Sequence, residues 1–417
     1  MNDITAATPD HPVVVAGAGP VGLTTALLLA SRRVPVRVAE RARPEVAREW
    51  RGSTLHPPTL EILDRIGLTD RAIARGVRVD RLAYGDLDSD DAAVFDYDVL
   101  DGLTRYPFRL QYEQYKLLDD LRAAAADSDA IEMCWEHEIV AVSTSATQAD
   151  VTIDTPTGTV RWETPLLVAA DGSHSAVRSA LDIGMDGSTY PTLSLVVASE
   201  FDFGAVAGRP STPVAYYTGG AGRLSLIRTP DIWRVAVSTD EPVDTDLSNV
   251  APVDDARDAH PALVAALDAY VGDHSWAAAP LRQHQMYRSH QRVADRMVDG
   301  RVALIGDAAH LTSTTGGMGL NSGVHDAAHL VDALDAFGID EALADYATVR
   351  RAVAMEVVQR ATSRTRAEMD ARSPDARAAR LADLQAAAAD PQRCGDHLRA
   401  AAMFDAVPGP RTSTEAS

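Results

Sequence analysis

The stretch from Val13 to Glu40 constrains the fold of this chain more than any other. A β-branched run precedes a glycine-rich turn, an apolar run follows the turn, and a second β-branched run ends at Glu40. This order predicts a strand, a tight turn, a helix and a parallel strand. The turn contains three glycines with the spacing of a dinucleotide-binding site: Gly17, Gly19 and Gly22. We therefore expect an α/β fold that binds a dinucleotide.

Each residue type in this stretch meets a separate physical demand. Gly17 makes the turn, Gly19 lets the backbone approach a pyrophosphate, and Gly22 lets the helix lie close to the strand. The helix N-terminus offers unpaired N–H groups and the positive end of its dipole to the phosphates. Glu40 follows Gly22 by 18 residues, near the place where an acidic side chain meets a ribose hydroxyl. A carboxylate there would repel a ribose phosphate, which disfavours NADP, but this stretch does not distinguish FAD from NAD.

The composition limits the classes of function. A net charge of −21 over 417 residues disfavours nucleic acid and an anionic membrane surface as partners. No apolar run approaches the roughly 18 residues that a membrane-spanning helix needs, and residues 1–12 lack the pattern of a signal peptide. The two cysteines, Cys134 and Cys394, are too few for a disulfide framework or a thiolate metal site. We expect a cytoplasmic protein of two or three domains that binds no metal.

Two later apolar strands also end in turns that contain Gly and Asp. One strand leads into Asp171-Gly172, and the other leads into Gly306-Asp307. A glycine-rich loop, 316–323, follows the second turn and precedes a helical pattern. Such a loop presents backbone donors at a helix N-terminus, which suits an anion or an electron-rich ring edge. A buried strand that ends in Asp-Gly is also a common structural turn, so that motif alone leaves both interpretations open.

Taken in order, the three turns resemble those of the single-component FAD-dependent aromatic hydroxylases, the family of para-hydroxybenzoate hydroxylase. The resemblance covers roughly residues 13–336. It implies an α/β architecture with a Rossmann-like FAD-binding domain, a mostly antiparallel β-sheet substrate domain interleaved with it, and C-terminal helices. The implied boundaries are 12–80, 101–185 and 285–340 for the FAD-binding domain, 81–100 and 186–284 for the substrate domain, 341–404 for the helical region and 405–417 for a disordered tail.

The resemblance also implies which residues contact the cofactor. The three glycines of the first turn would bind the FAD diphosphate, Glu40 the adenosine ribose, and Asp307 the ribityl side of the flavin. Arg51 and Gln111 match further FAD-contacting positions. Asp171 and Gly172 match a turn that is linked to both FAD and nicotinamide binding, and Leu320 and Asn321 match backbone contacts to the isoalloxazine. The remaining cofactor-binding candidates are Arg41, Gly317 and Gly319.

The implied activity is that of a monooxygenase. NADH or NADPH would reduce bound FAD, O₂ would add to give a flavin hydroperoxide, and a small aromatic or electron-rich substrate would be hydroxylated or epoxidised. Because the flavin performs the difficult steps, we expect few catalytic side chains. Strands between residues 193 and 238 would form the pocket floor, where Tyr216 and Tyr217 alternate faces. We select Tyr217 and Arg228 as the catalytic candidates, and we expect a monomer or a homodimer.

One segment departs from the family pattern and leaves alternatives open. Residues 312–315 are all Ser or Thr, where the family usually has a proline beside the flavin. A flavin-binding redox sensor that turns nothing over is therefore one alternative, which steady NAD(P)H consumption with product formation would exclude. An isoprenoid double-bond reductase is a second, although His310 argues against it. An FAD-dependent halogenase is a third, but the chain lacks the Gly-Trp-x-Trp-x-Ile-Pro segment of that group.

Overall fold

The computed structural model describes residues 7–45, 52–239, 260–363 and 373–407. The strands in these ranges are β1 Val13–Ala16, β2 Val36–Glu40, β3 Thr54–Leu55, β4 Val77–Val79, β5 Arg81–Asp86, β6 Ala92–Asp96, β7 Arg109–Gln111, β8 Ile131–Trp135, β9 Glu138–Thr144, β10 Ala149–Thr155, β11 Gly158–Thr164, β12 Leu167–Ala169, β13 Met185–Ser199, β14 Val214–Gly219, β15 Gly222–Arg228, β16 Trp233–Ser238, β17 Leu281–Ala294, β18 Val298–Asp299, β19 Val302–Leu304 and β20 His310–Leu311. The α-helices are α1 Pro20–Ala30, α2 Pro57–Asp64, α3 Thr69–Arg75, α4 Gln114–Ala126, α5 Ala176–Ala180, α6 Pro261–Val271, α7 Met318–Phe337, α8 Ile339–Ala352, α9 Pro374–Ala389 and α10 Pro391–Ala401.

A six-stranded sheet contains the first strand and the first turn. Its strand order is β18-β19-β12-β1-β2-β8, and all neighbouring pairs are parallel except β18 with β19. All four residues of β1 are buried and apolar, which suits a parallel sheet covered on both faces. Helix α1 packs against α4 and α7. The arrangement confirms the predicted mixed α/β class.

A second, eight-stranded sheet has the order β20-β17-β13-β16-β15-β14-β5-β6. Its neighbouring strands are antiparallel except β14 and β5. One face packs on helix α6 and buries Tyr217, Tyr270 and Trp276. On the opposite face, residues paired directly across the strands form one row: Tyr84, Tyr216, Ser225, Ala236 and Val196. The pairing therefore fixes which side chains share a face.

The C-terminal helices α9 and α10 cover one end of that opposite face. Leu398 packs among the aromatic side chains of β5 and β6, and His397 stacks on Phe95 with 4.1 Å between ring centroids. Arg377 anchors the pair of helices, because its Nε lies 3.0 Å from Asp86 Oδ2. The helices cover β5 and β6, whereas side chains of β13, β15 and β16 on this face line a cavity.

The predicted disordered tail, 405–417, starts in an ordered segment. Residues 404–406 form a 3₁₀ turn. Ala406 is fully buried, and its carbonyl oxygen accepts a hydrogen bond from Arg350 Nη1 at 2.6 Å. The prediction is therefore wrong for residues 405 and 406, because a buried arginine binds the backbone there. Residues 408–417 lie outside the described part of the chain.

Among the helices in the described ranges, none combines the length and the apolar character that a bilayer crossing requires. No group of three or more His, Cys, Asp or Glu side chains in the same ranges is arranged to hold a metal ion.

Candidate active site

The three predicted turns meet at one edge of the six-stranded sheet. Strands β1, β12 and β19 are adjacent and parallel, so their carboxyl ends lie at the same edge. Gly17, with φ of +97°, lies against the second turn, and a Cβ on it would stand 2.6 Å from the Ala170 carbonyl oxygen. Gly306, with φ of +58°, lies against the first turn, and a Cβ on it would stand 3.3 Å from Val21 Cγ1. Residues far apart in the sequence therefore form one continuous surface.

The first turn forms an open cradle at the start of α1. Gly19 is the N-cap residue, and no side chain caps the helix, so the first N–H groups of α1 stay available to a ligand. A Cβ on Gly19 would meet no atom within 4 Å. A Cβ on Gly22 would stand 2.0 Å from the Gly17 carbonyl oxygen, so the helix packs too closely on the turn for a side chain there. The open space beside uncapped N–H groups fits a diphosphate.

Glu40, at the end of β2, borders the same turn. Its Oε2 accepts a hydrogen bond from Ala18 N at 2.7 Å, and its Oε1 accepts one from Ala42 N at 2.8 Å. These bonds fix the carboxylate beside the glycine turn, where it can accept a hydrogen bond from a ribose hydroxyl. Arg41 follows it and is exposed. Arg51 lies outside the described residues.

The other two turns contribute one carboxylate each. Asp171 Oδ2 accepts a hydrogen bond from Val177 N at 3.1 Å, while its buried Oδ1 has no partner among the described residues. Gly172 has φ of +83° and open space where a side chain would stand. Asp307 is exposed and lines a cavity. The carboxylates of Asp171 and Asp307 can accept hydrogen bonds from hydroxyl groups, which suits the ribose and ribityl parts of a dinucleotide.

The predicted glycine loop, 316–323, is a short 3₁₀ turn followed by the first turns of α7, because the helix begins at Met318. The segment that contains β3 holds this glycine loop in place. Gly317 has φ of +69°, and a Cβ on it would stand 2.8 Å from Thr54 Cβ. Asn321 Nδ2 donates to the carbonyl oxygens of Thr54 at 2.9 Å and of Gly317 at 2.7 Å. Its Oδ1 accepts a hydrogen bond from His56 N at 2.9 Å. The side chain of Asn321 therefore stabilises the loop, a role that the sequence did not predict.

A cavity of about 480 Å³ lies between the glycine loop and the eight-stranded sheet. Its loop side includes Asp307, Thr312, Ser313, Thr314, Gly317, Gly319 and Leu320. Its sheet side includes Ser194, Tyr216, Arg223, Ser225, Ile227, Arg234 and Tyr287. The Tyr287 hydroxyl donates to Thr314 Oγ1 at 3.1 Å and so joins the two sides. The volume is within the range of small-molecule sites.

Both predicted catalytic residues lie away from this cavity. Tyr217 is fully buried on the opposite face of the sheet, and its ring centroid is 5.0 Å from that of Tyr270. Ile227 lines the cavity, so its neighbour Arg228 belongs to the other face by strand alternation. The selection of Tyr217 and Arg228 is therefore corrected. The sequence reveals the alternation of a strand but not which of its faces meets the cavity.

Tyr216 and Arg234 lie on the face of the eight-stranded sheet that lines the cavity. Arg234 Nη1 is 3.4 Å from Ser53 Oγ, and its buried Nε has no acceptor among the described residues. Burial lowers the pKa of the Arg234 guanidinium, which still remains charged at neutral pH. Ser53 Oγ in turn donates to the buried Gln111 Oε1 at 2.9 Å.

The Tyr216 hydroxyl oxygen accepts a hydrogen bond from Arg109 Nη1 at 3.0 Å. The sheet thus presents a cation and a phenol to the cavity.

Comparison with known proteins identifies the family. A family model described as "FAD binding domain" matches residues 10–361. The para-nitrophenol 4-monooxygenase of Pseudomonas sp. (strain WBC-3) is 30% identical over 353 residues, which span 82% of this chain and 83% of that enzyme. The chain belongs to the FAD-dependent aromatic monooxygenases. This result confirms the predicted family and an FAD-dependent oxidoreductase activity.

Solved structures agree with this identification of the monooxygenase. The crystal structure of p-nitrophenol 4-monooxygenase from Pseudomonas putida DLL-E4 matches with a TM-score of 0.84 and 27% identity, over 96% of this chain and 99% of that chain. A ternary complex of aklavinone-11 hydroxylase with FAD and aklavinone matches with a TM-score of 0.69 and 25% identity, over 86% of this chain and 69% of that chain. None of these relatives is named a reductase, a halogenase or a sensor.

A buried triad of polar side chains, Asp326, His310 and Arg350, supports the Gly-Asp turn of the monooxygenase. Asp326, on α7, accepts hydrogen bonds from Gly306 N at 3.0 Å, His310 Nε2 at 2.6 Å and Arg350 Nε at 2.7 Å. All three side chains are at most 1% exposed. Burial opposes ionisation of Asp326, but His310 and Arg350 hold the pKa of its carboxyl well below the usual range. The triad therefore fixes the turn that carries one of the proposed flavin contacts.

Two buried histidines lie behind the glycine loop. His56 Nε2 is 3.1 Å from the Gly316 carbonyl oxygen, and His325 Nε2 is 3.0 Å from Thr59 Oγ1. Burial lowers the pKa of His56 well below its ordinary value. Burial, assisted by the charge of Arg350, lowers the pKa of His325 to about 3. Both histidines are therefore neutral at physiological pH, and His56 donates to the loop.

The stability of the monooxygenase should fall in mild acid because of His325. Below its ordinary pKa of 6.5 the unfolded chain binds a proton at this residue, whereas the folded chain does so only near pH 3. The stabilisation is therefore complete above pH 6.5 and is lost as the pH falls, by about 2 kcal/mol at pH 5. Urea unfolding of the wild type and of His325→Gln at pH 7.5 and pH 5 measures it. The variant should lose about 2 kcal/mol less than the wild type between these pH values, and equal losses would contradict the assignment.

Proposed function

We propose that this monooxygenase uses NADH or NADPH and O₂ to hydroxylate, or to epoxidise, a small aromatic or electron-rich substrate. The observation that carries the proposal is the cavity of about 480 Å³ between the glycine loop and the polar face of the eight-stranded sheet. The similar enzyme from Pseudomonas sp. (strain WBC-3) is named for para-nitrophenol, a small aromatic compound. That name supports an aromatic substrate for this chain.

We propose that the three turns hold one FAD molecule. Backbone N–H groups beside Gly19 would bind the diphosphate, Glu40 would bind the adenosine ribose, and Asp307 would bind the ribityl chain. Asp171 and Gly172 border the same edge and would contact both FAD and the nicotinamide cosubstrate. When bound, FAD supplies the redox chemistry, because it accepts hydride from the reduced nicotinamide and activates O₂. The close packing of the turns supports a single binding site.

The side chains of the cavity would bind the substrate and exclude water. Arg234 carries an unpaired buried N–H among the described residues, and Tyr216 carries a hydroxyl, so both can bind a substrate oxygen. The Tyr287 to Thr314 hydrogen bond joins the loop side and the sheet side of the cavity. Exclusion of water protects a reactive oxygen-transfer step from side reactions. In the segment where the family usually has a proline, residues 312–314 instead line the cavity with Ser and Thr side chains.

We also propose separate roles for the two sheets, with FAD bound by the six-stranded sheet and substrate by the eight-stranded sheet. The eight-stranded sheet would be the substrate domain, interleaved with the FAD-binding domain, with the boundaries predicted from the sequence. The acidic net charge of −21 disfavours a nucleic-acid partner. A cytoplasmic location remains a proposal from the sequence. A monomer or a homodimer remains the expected assembly.

The proposal is tested with purified protein loaded with FAD. Oxidation of NADH and of NADPH is followed with and without each member of a panel of phenols and other electron-rich compounds. We expect a phenol to stimulate oxidation and the product to gain one oxygen atom by mass spectrometry. Tight FAD binding without stimulated turnover by any compound would contradict the proposal and would favour the sensor alternative.

A further inference from the structure

Arg109, on β7, is a buried cation for which the described residues supply no carboxylate partner. Its side chain is 1% exposed, and the ionisable side chains that act on it most strongly in the described ranges are phenols rather than carboxylates: Tyr84, Tyr97 and Tyr216. Its Nε has no acceptor among the described residues. Burial of an unpaired charge is unfavourable unless an anion lies near it. The position of Arg109 directly behind a cavity residue suggests where that anion binds.

The hydrogen bond between Arg109 and Tyr216 has a fixed direction. A guanidinium can only donate, so the Tyr216 oxygen accepts from Arg109 Nη1 at 3.0 Å. The hydroxyl proton of Tyr216 must then point away from Arg109. No residue of the described ranges accepts that proton, while Tyr216 lines the cavity together with Ser225, its partner across the strands. A ligand in the cavity can therefore accept it.

A second Arg and Tyr pair on the other face of the sheet gives a contrast. Arg209 lies over the ring of Tyr217, with its guanidinium carbon 5.3 Å from the ring centroid. Its donors bind the backbone carbonyl oxygens of Asp86, Ser89, Ala269 and Tyr270. Each nitrogen of the Arg209 guanidinium thus donates to backbone, and the Asp90 carboxylate lies 4.0 Å from its Nη1, as expected of a structural arginine. Arg109 instead donates to a side chain at the cavity and keeps one donor unpaired.

We infer that Arg109 is a positioning residue that directs the Tyr216 O–H into the cavity and adds positive charge behind it, so that this subsite takes an anionic substrate oxygen. This inference rests on the proposed function, in which the cavity holds the substrate. Charge-assisted hydrogen bonds polarise one another in a low-dielectric site, so the effect of Arg109 reaches the ligand through Tyr216. A phenolate oxygen satisfies the subsite, whereas an ether oxygen of the same shape satisfies it poorly.

The experiment compares two probes of similar shape on the FAD-loaded protein. One is 4-nitrophenol at a pH where it is ionised, and the other is 4-nitroanisole, its methyl ether, which carries no charge. Binding is measured by absorbance titration without NAD(P)H. The variants are Arg109→Met, Arg109→Lys and Tyr216→Phe, and the matched controls on the opposite face are Arg209→Met and Tyr217→Phe.

We expect the wild type to prefer 4-nitrophenolate. Arg109→Met should weaken binding of 4-nitrophenolate by about tenfold or more and leave binding of 4-nitroanisole nearly unchanged. Arg109→Lys should retain part of the preference, because it keeps the charge but loses the planar donor. Tyr216→Phe should lose the same preference, while Arg209→Met and Tyr217→Phe should keep it. The preference should also disappear at a pH where 4-nitrophenol is protonated.

Other outcomes contradict one of the two proposals, and they can be told apart. Equal weakening of both probes in Arg109→Met would mean a structural role and would overturn the inference alone. A wild type that binds both probes equally would do the same. A wild type that binds neither probe and is stimulated by no phenol would overturn the proposed function as well. If Arg109→Met does not fold, Tyr216→Phe, which removes one atom, decides the question in the same assay.

Discussion

Gly22→Ala is expected to destabilise the monooxygenase and to prevent FAD binding, whereas Gly19→Ala should fold normally and bind FAD weakly. A Cβ at Gly22 would stand 2.0 Å from the Gly17 carbonyl oxygen, so α1 must move away from the turn. We expect a loss of about 3 kcal/mol in the free energy of unfolding. A Cβ at Gly19 meets no atom within 4 Å and enters only the space assigned to the diphosphate.

The expected effect of Gly19→Ala is therefore on the ligand alone. Loss of one close contact to a charged group corresponds to FAD binding that is weaker by about 10- to 100-fold. Thermal unfolding of the apoprotein and FAD titration separate the two effects. The control is Gly395→Ala on α10, where a Cβ also meets no atom within 4 Å but no ligand is proposed. Normal FAD affinity in Gly19→Ala would refute the assignment of the cradle.

Asp326→Ala is expected to be the most destabilising substitution in the buried triad of Asp326, His310 and Arg350. It would leave Arg350 buried without a counterion and would remove the acceptor of Gly306 N. Breaking a buried pair by removal of one partner costs about 3–5 kcal/mol. Urea unfolding measures this loss, and a lower FAD content should accompany it, because the same carboxylate fixes the Gly-Asp turn.

A surface ion pair provides the control for this prediction. Arg301 Nη2 lies 2.8 Å from Asp340 Oδ1, but the Asp340 side chain is 83% exposed. Asp340→Ala should therefore change the free energy of unfolding by about 1 kcal/mol or less. Similar losses in Asp326→Ala and Asp340→Ala would mean that the buried triad contributes no more than a solvated pair.

The sequence predicted the elements whose signal is local. The glycine spacing and β-branched runs before Glu40 predicted strand, turn and helix, and the structure has β1, α1 and β2 there. Convergence of the turns near Gly17, Asp171 and Gly306 was implied by the resemblance, and the structure brings them together because parallel adjacent strands share one carboxyl edge. These features depend on short-range pattern and on a rule of sheet topology.

The sequence could not predict features that depend on long-range packing. Alternation predicted that Tyr216 and Tyr217 face opposite sides, but the choice of side depends on α6 and on the glycine loop, which are distant in sequence. Arg350 and Asp326 had no local signal, because Arg and Asp side chains on a helix are normally exposed. The sequence likewise predicts an exposed charge at Arg109, whereas the structure buries this side chain behind Tyr216.

A crystal structure of the protein loaded with FAD tests most directly whether the three turns hold one flavin. We predict the diphosphate beside Gly19 and the isoalloxazine ring next to Leu320, with its reactive edge toward Tyr216 and Arg234. A flavin ring bound away from this cavity would contradict the single FAD site, as would a diphosphate bound at another helix or purified protein that takes up no FAD.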